Sequence, residues 1–376
     1  MDAATHVVPG WDSENPNKYK IIFCSGASEG NAMIVQSVVA SARKYRGGTP
    51  HVIASAVEHK SVLATLEILA QRGDATYTLV PPRVSGHVAP EDVAEVIRPE
   101  TCLACVMHAN NETGAINDIR AIAEVCHAAN IPFHCDMVQT AGRIPPNMTA
   151  LSVDSAVISF HKFHGFPGAG AIILKQQLIL GYHLTPIIPG TQNDGLRGGT
   201  ENIVGIAAGY AALKYSMVDR RAKNSRILEC KQRILVGLAK HFTLRKYARY
   251  VEETTGLLES DQSRTDPSNA IQLVVISPPD NCLVNTILMS VVRRAPPKIC
   301  NQKIKRALEA KKCIVSVGSA CNTSSASASH VLYALGADEF VRAGALRVSL
   351  GDSVTLEDAD RFVRVFVEVV REHTKK

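Results

Sequence analysis

Lys162 stands between an apolar run, Ser155-Ala156-Val157-Ile158, and a glycine-rich turn, Gly165-Phe166-Pro167-Gly168-Ala169-Gly170, beyond which Ala171-Ile172-Ile173-Leu174 is apolar again. This pattern places a lysine at the end of a buried strand, in a low-dielectric setting that lowers the ammonium pKa and suits imine chemistry. A lysine so placed is the usual anchor for pyridoxal 5'-phosphate (PLP), whose ring acts as an electron sink. A surface lysine in a Gly/Pro loop accounts for this segment alone about as well.

A second segment, Ile131-Pro132-Phe133-His134-Cys135-Asp136, reads as a short strand that ends in a carboxylate. A PLP site needs an acid beside the pyridine nitrogen, to keep it protonated. Asp136 could equally cap a helix after a strand, and the two roles are compatible. Ser25-Gly26-Ala27-Ser28 lies between a strand and a helix, where small residues let the backbone approach an anion and the helix N-terminus offers N–H groups. An ordinary turn or cap explains the same residues taken singly. Arg347, with five donors in a planar fork, fits an α-carboxylate, or is a strand-edge arginine on Leu346–Leu350. Cys321 lies in Gly318-Ser319-Ala320-Cys321-Asn322-Thr323-Ser324-Ser325, a run of small polar residues that cannot pack a core, so an exposed and reactive thiol is expected there.

The elements that must position these residues follow a β-then-α rhythm. Tyr19 to Cys24 precedes an amphipathic stretch from Glu29 to Tyr45; His51 to Val57 precedes Lys60 to Arg72; Cys102 to Met107 precedes Asp118 to Ala129. That alternation predicts a mostly parallel sheet with helices on both faces, and ligands in such sheets bind at strand C-terminal ends. From Tyr215 the pattern predicts one long helix running on toward His241, which connects to a second domain. Gly256 to Asn269 and Ser277 to Asn281 read as loops. Thr355-Leu356-Glu357-Asp358 resembles a capping box with Asp in place of Glu, and Phe362, Phe366, Val369 and Val370 then share one helical face.

Composition narrows the function classes. A chain of 376 residues, 46% hydrophobic and 20% charged, suits a two-domain globular enzyme. The net charge of +6 is not gathered into a basic tract, which argues against nucleic-acid binding. No long apolar span marks a membrane segment. Ten scattered cysteines without a disulfide framework or signal peptide predict a reducing, cytoplasmic location. Cys102-x-x-Cys105 lies in a strand-like run without a second such pair, so both read as core thiols and no metal is expected. His161 and His164 are likewise read without a metal.

The chain resembles the NifS/IscS-type cysteine desulfurases, class V aminotransferases of the fold-type I PLP group. The matching pieces, in the family's order, are Phe23 to Glu29, Ser55 to His59, His108 to Gly114, Asp136 to Gln139, Ser159 to Gly170, Gly199 to Asn202, Gly318 to Cys321 and Leu346 to Gly351. The resemblance implies an α/β fold: a large PLP-binding domain over residues 1–218, with 1–14 a shortened arm, and a smaller α+β C-terminal domain over 219–376. It implies that Lys162 anchors PLP. Ala27, Ser28, Ser159 and His161 would hold the phosphate, and Thr200 would reach the phosphate of a neighbouring subunit's site in a homodimer. His59 would stack on the ring and share in proton transfer, Asp136 would face the ring nitrogen, and Asn111 and Gln139 would make polar contacts with the ring oxygen and substrate. Arg347 would bind the α-carboxylate of L-cysteine. Cys321 would take the sulfur as a persulfide, leaving L-alanine, and pass it to an acceptor or scaffold protein for iron–sulfur clusters or tRNA thiolation. Selenocysteine lyase shares the constellation, and a PLP-binding relative with reduced or lost desulfurase activity is a further alternative. Three departures bear on this choice: the short N-terminal segment, Pro189 to Gly195 in place of the family's glycine-rich G-G-G-Q-E-R-G, and Phe160 and Phe166-Pro167 around the lysine, which are expected to narrow the pocket.

Overall fold

A computed structural model describes residues 18–145, 148–259, 271–294, 298–317 and 329–374. The chain divides into two compact units. The first takes the described residues up to Pro81, then Val88–Ala109 and Asn117–Arg220; the second takes Pro82–His87, Asn110–Ile116 and the described residues from Arg221 onward.

The first unit alternates β1 (Tyr19–Cys24), α1 (Ala27–Arg46), β2 (His51–Ser55), α2 (Lys60–Gln71), β3 (Thr76–Val80), α3 (Pro90–Glu95), β4 (Thr101–Cys105), α4 (Ile119–Ala128), β5 (Phe133–Asp136), β6 (Ser155–Ser159), β7 (Gly170–Lys175), α5 (Gln176–Tyr182) and α6 (Ile203–Met217). Its sheet runs β1-β7-β6-β5-β4-β2-β3. Strands β6, β5, β4, β2 and β3 pair in parallel, and β7 is antiparallel to both β6 and β1. The α/β reading with helices on both faces is therefore borne out, and the strand alternation shows why. Val52, Ala54, Leu103, Cys105, Val157, Ile172 and Leu174 face one core, formed with α1, α2 and α5. Ile53, Ala104, Phe133, Cys135, Ala156, Ile158, Ala171 and Ile173 face the other, formed with α3, α4 and α6. Helix α1 crosses the sheet so closely that a methyl group at Gly30 would lie 2.6 Å from Val157 Cγ1.

The second unit contains α7 (Arg220–Ala239), β8 (Thr243–Lys246), α8 (Tyr247–Glu259), β9 (Gln272–Val275), β10 (Thr286–Val292), α9 (Asn301–Ala310), α10 (His330–Ala334), α11 (Glu339–Gly344), β11 (Ala345–Ser349) and α12 (Leu356–Thr374), with a second sheet ordered β11-β10-β9-β8. Helix α12 begins with the expected reciprocal cap: Thr355 N donates to Asp358 Oδ2 and Asp358 N to Thr355 Oγ1, each at 3.1 Å. Phe362, Phe366, Val369 and Val370 are buried in that unit's core.

Two expectations fail. The single helix from Tyr215 toward His241 is two helices, because Val218 is extended and Asp219 takes a left-handed φ of 51°, a conformation short polar side chains tolerate. Gly256 to Glu259, expected as the start of a loop, continue α8, since Leu257, Leu258 and Glu259 are good helix formers and outweigh one glycine; the rest of that stretch lies outside the described residues.

Candidate active site

Strand β6 ends at Ser159, and one turn of 3₁₀ helix, Phe160–Phe163, carries the chain out of the sheet. With three residues per turn, Phe160 and Phe163 fall on the same side; both are buried. His161 and Lys162 fall on the other and are exposed. The low-dielectric setting expected for Lys162 is thus not what the structure shows: the two phenylalanines, not the lysine, follow the strand into the core. Phe160 packs edge-on to Phe23, with ring centroids 6.4 Å apart, and lies where a methyl group at Gly209 of α6 would go. Its ring fills core space between β1 and α6. Arg143 braces the turn, donating from Nη2 to Lys162 O and from Nη1 to Gln139 O, both at 3.0 Å.

The structure brings the start of α1 to this turn. Cys24 of β1 pairs with Gly170 of β7, which pairs with Ser159 of β6. Gly170 is so close to Gly26 that a methyl group there would lie 2.7 Å from the Gly26 Cα, and one on Gly26 would lie 3.4 Å from Ser159 Oγ. Ala27 and Ser28 are the first residues of α1, whose N–H groups have no partner within a helix. Ser159 Oγ is 3.0 Å from His161 Nδ1. Burial, with the Lys162 charge second, lowers the His161 pKa. Glu29 borders the start of α1, accepting from Ser25 N at 2.7 Å and from Arg197 Nε at 3.0 Å. Burial works to raise the Glu29 pKa, but these hydrogen bonds outweigh it and hold the carboxylate low. Thr200 lies exposed two residues before Asn202, the cap of α6.

Asp136 closes β5 and is buried. Its Oδ1 accepts from Val138 N at 3.0 Å, as a cap would, and its Oδ2 accepts from Asn31 Nδ2 at 2.9 Å. Burial raises its pKa, while the bonds from Asn31 and Val138 and the charges of His59 and Lys162 pull it down. Asn31, fully buried on α1, also donates to Ser61 Oγ at 2.9 Å, and its Oδ1 lies 2.8 Å from His134 Nε2. Ser61 Oγ in turn lies 2.8 Å from Nδ1 of His59, the N-cap of α2. Glu58, beside His59 in sequence, is buried and pushed up to about 8 by burial, despite accepting from Ser55 Oγ at 2.5 Å and Met107 N at 2.7 Å, with Asp136 adding to the rise. Sequence reading missed Asn31, Ser61, His134, Glu58 and Arg143. Asn31 alone carried a signal, standing one helical turn after Ala27 on the same face.

In the second unit Arg347 Nη1 donates to Asn111 O at 2.7 Å. Arg347 Nε is buried with no hydrogen-bond partner among the described residues. Burial lowers the Arg347 pKa, opposed by the charge of Glu112. Glu112 is fully buried and accepts from Ser329 Oγ at 2.6 Å. Cys321 lies outside the described residues. Cys102 and Cys105 are buried as expected; burial pushes Cys102 up to about 12 and holds Cys105 well above the ordinary thiol value. Among the described residues no cluster of three His, Cys, Asp or Glu could hold a metal, and no helix is long and apolar enough to cross a membrane.

Residues 14–362 match the family model for aminotransferase class-V. The chain is 30% identical over 352 residues to cysteine desulfurase IscS of Anaeromyxobacter sp. (strain K), covering 94% of this chain and 77% of that protein. It is 32% identical over 353 residues to cysteine desulfurase IscS of Dictyoglomus turgidum, covering 93% and 79%. Among solved structures a NifS-like protein superposes with a TM-score of 0.77 at 26% identity, covering 99% of this chain and 89% of that one. DndA from Streptomyces lividans superposes at 0.67 and 27% identity, covering 93% and 86%. The motifs in order, the sheet with its lysine turn and these likenesses agree: the chain belongs to the aminotransferase class-V family, with the NifS/IscS-type cysteine desulfurases.

Proposed function

We propose that the protein is a PLP-dependent cysteine desulfurase, converting L-cysteine to L-alanine and leaving the sulfur as a persulfide on Cys321. The observation that carries the reading is the approach of the α1 N-terminus to the Ser159–Lys162 turn, with buried Asp136 tied to the same helix through Asn31. The residues present fit the cofactor. The first N–H groups of α1, with Ser159 and His161, suit a phosphate dianion. Asp136, raised by burial and relieved by neighbouring positive charge, suits a protonated ring nitrogen. PLP, when bound, supplies an electron sink for the substrate Cα.

The remaining work falls to this chain's own side chains. Lys162, on an exposed turn, would hold the cofactor and exchange it for the substrate amine. Lys162 and His59 would move the Cα proton. Asn111 and Gln139 would orient ring oxygen and substrate. Arg347 takes the α-carboxylate, which supplies the acceptor its buried Nε lacks among the described residues. The Cys321 thiolate would attack the substrate sulfur, and an acceptor or scaffold protein would take it onward to iron–sulfur clusters or thiolated tRNA. The exposed apolar residues Ile203, Val204 and Tyr215 on α6 support a homodimer that brings Thr200 to a partner's phosphate site. The unpaired thiols among the described residues suit a reducing cytoplasm.

The test is an assay of purified protein with PLP for alanine and sulfide from cysteine, run beside selenocysteine, with peptide mapping of the persulfide. Lys162→Ala should remove the borohydride-reducible cofactor linkage, and Cys321→Ser should keep the cofactor but carry no persulfide. A persulfide on Cys300 or Cys313, or a reducible linkage surviving in Lys162→Ala, would refute these roles. A far higher rate with selenocysteine would favour the lyase. PLP binding without alanine would favour a binding protein.

A further inference from the structure

We infer that Asn31 and Ser61 are positioning residues that fix the proton of His59 on Nε2 while orienting the Asp136 carboxylate. The inference assigns roles within the PLP site proposed above, but the network it rests on belongs to the chain itself. Five buried or half-buried groups form one hydrogen-bonded path: His134, Asn31, then Asp136 and Ser61 as two branches, with His59 at the end of the second.

With the Asp136 carboxylate ionised, the donor and acceptor roles along this path follow in order. Asp136 Oδ2 must accept from Asn31, so the atom facing it is the amide nitrogen. The same nitrogen reaches Ser61 Oγ at 2.9 Å, which uses its second hydrogen. The amide oxygen is left for His134 Nε2 at 2.8 Å, so that nitrogen carries the proton. His134 is neutral near pH 7, because burial pushes its pKa down to about 4; its Nδ1 therefore accepts from Ser155 Oγ at 2.8 Å. Ser61, receiving a hydrogen from Asn31, has its own left to give, and the neighbour at 2.8 Å is His59 Nδ1. The Ser61 main-chain N–H points at the same atom from 3.2 Å. Two donors on Nδ1 leave the proton of a neutral His59 on Nε2.

Ala27 and Asn31 are one turn apart on α1, so the helix that begins at the proposed phosphate cup also sets both Asp136 and His59. Asn31→Asp has nearly the same shape but replaces two donors by acceptors. The Ser61 hydroxyl would then turn toward the new carboxylate, present a lone pair to His59, and draw a proton onto Nδ1.

The experiment uses the 376-residue chain labelled with 15N-histidine, with His59→Gln to assign the signal, measured at neutral pH with and without PLP. Wild type should show Nδ1 in the unprotonated range. Asn31→Asp should move it to the protonated range, and the move should vanish in Asn31→Asp combined with Ser61→Ala. Should Asn31→Asp not fold, Ser61→Ala, which buries no charge, should leave only the 3.2 Å main-chain donor and give mixed tautomers. Separately, loss of the Asn31 bond to Asp136 should lower turnover by about ten- to hundredfold in Asn31→Ala while PLP stays bound, as in Asp136→Asn. An unprotonated Nδ1 in folded Asn31→Asp, or a wholly Nε2-protonated ring in Ser61→Ala, would overturn the inference. Failure of wild type to bind PLP would refute the cofactor reading instead, and the histidine spectra without PLP would still decide the network.

Discussion

Arg347 Nη1 donates to the main-chain oxygen of Asn111 at 2.7 Å, so its guanidinium is held by a backbone atom that no side-chain substitution removes. The plane of the fork is set by that bond, and the buried Nε is left to seek an acceptor. Arg347→Lys should therefore keep a positive charge yet lose the fork. Expected is a rise in KM for cysteine of about ten- to hundredfold with a smaller change in kcat, measured by steady-state alanine formation. An unchanged KM would remove Arg347 from the substrate site.

Asp136→Asn should retain PLP but lose most turnover, since the ring nitrogen would lose its charged partner. The missing charged hydrogen bond corresponds to about 1.5–3 kcal/mol. Cofactor absorbance and alanine release from the same sample check it. Wild-type rates would leave Asp136 as the cap that its bond to Val138 N already makes it.

Stability should fall between pH 6.5 and 8 because of Glu58. Its folded pKa of about 8 lies above the ordinary 4.5. The folded state therefore holds a proton that the unfolded state has released, and that advantage is lost as pH rises through about 8. His108 and His134 act oppositely. Burial depresses both from 6.5 to about 4, so their contribution is present above 6.5 and lost as pH falls through 4. Glu58→Gln, a neutral mimic of the protonated acid, should flatten the decline above pH 6.5. Urea midpoints across pH 5 to 9 measure it, and a decline of equal slope in the variant would point to another group.

Gly209→Ala should destabilise the first unit by about 1–3 kcal/mol, because the added methyl collides with the Phe160 ring. Phe160→Leu in the same chain should recover part of the loss. Thermal unfolding of both variants tests this, and additive effects would mean that the two residues do not share the space.

The strands and their helices were legible because each carried its own period: β1 was read to the residue as Tyr19–Cys24, and the cap of α12 from four residues. The strand–helix junction at Ser25 to Ser28 was legible as a place an anion could approach, but an ordinary turn has the same small residues, so the proposed phosphate role of Ala27 and Ser28 rested on the family resemblance. The Asn31 network was not, because its members come from α1, α2, β5 and β6 and meet only in the fold. Lys162 was misjudged for a local reason. An apolar run predicts a buried strand, but it does not say that the chain leaves the sheet by a three-residue turn which sends Phe160 and Phe163 inward instead.

The pairing of Cys24 with Gly170 also orders events in time. Strand β1 is made early, yet its sheet partner β7 is synthesised only after five further strands of that sheet. Closing so long a loop is entropically slow, and until it happens the Gly26 corner and the lysine turn are separate pieces of chain. Cofactor affinity should thus arise in a single late step of refolding, when the first strand docks, and the yield of protein able to capture PLP should report on that docking rather than on the formation of secondary structure.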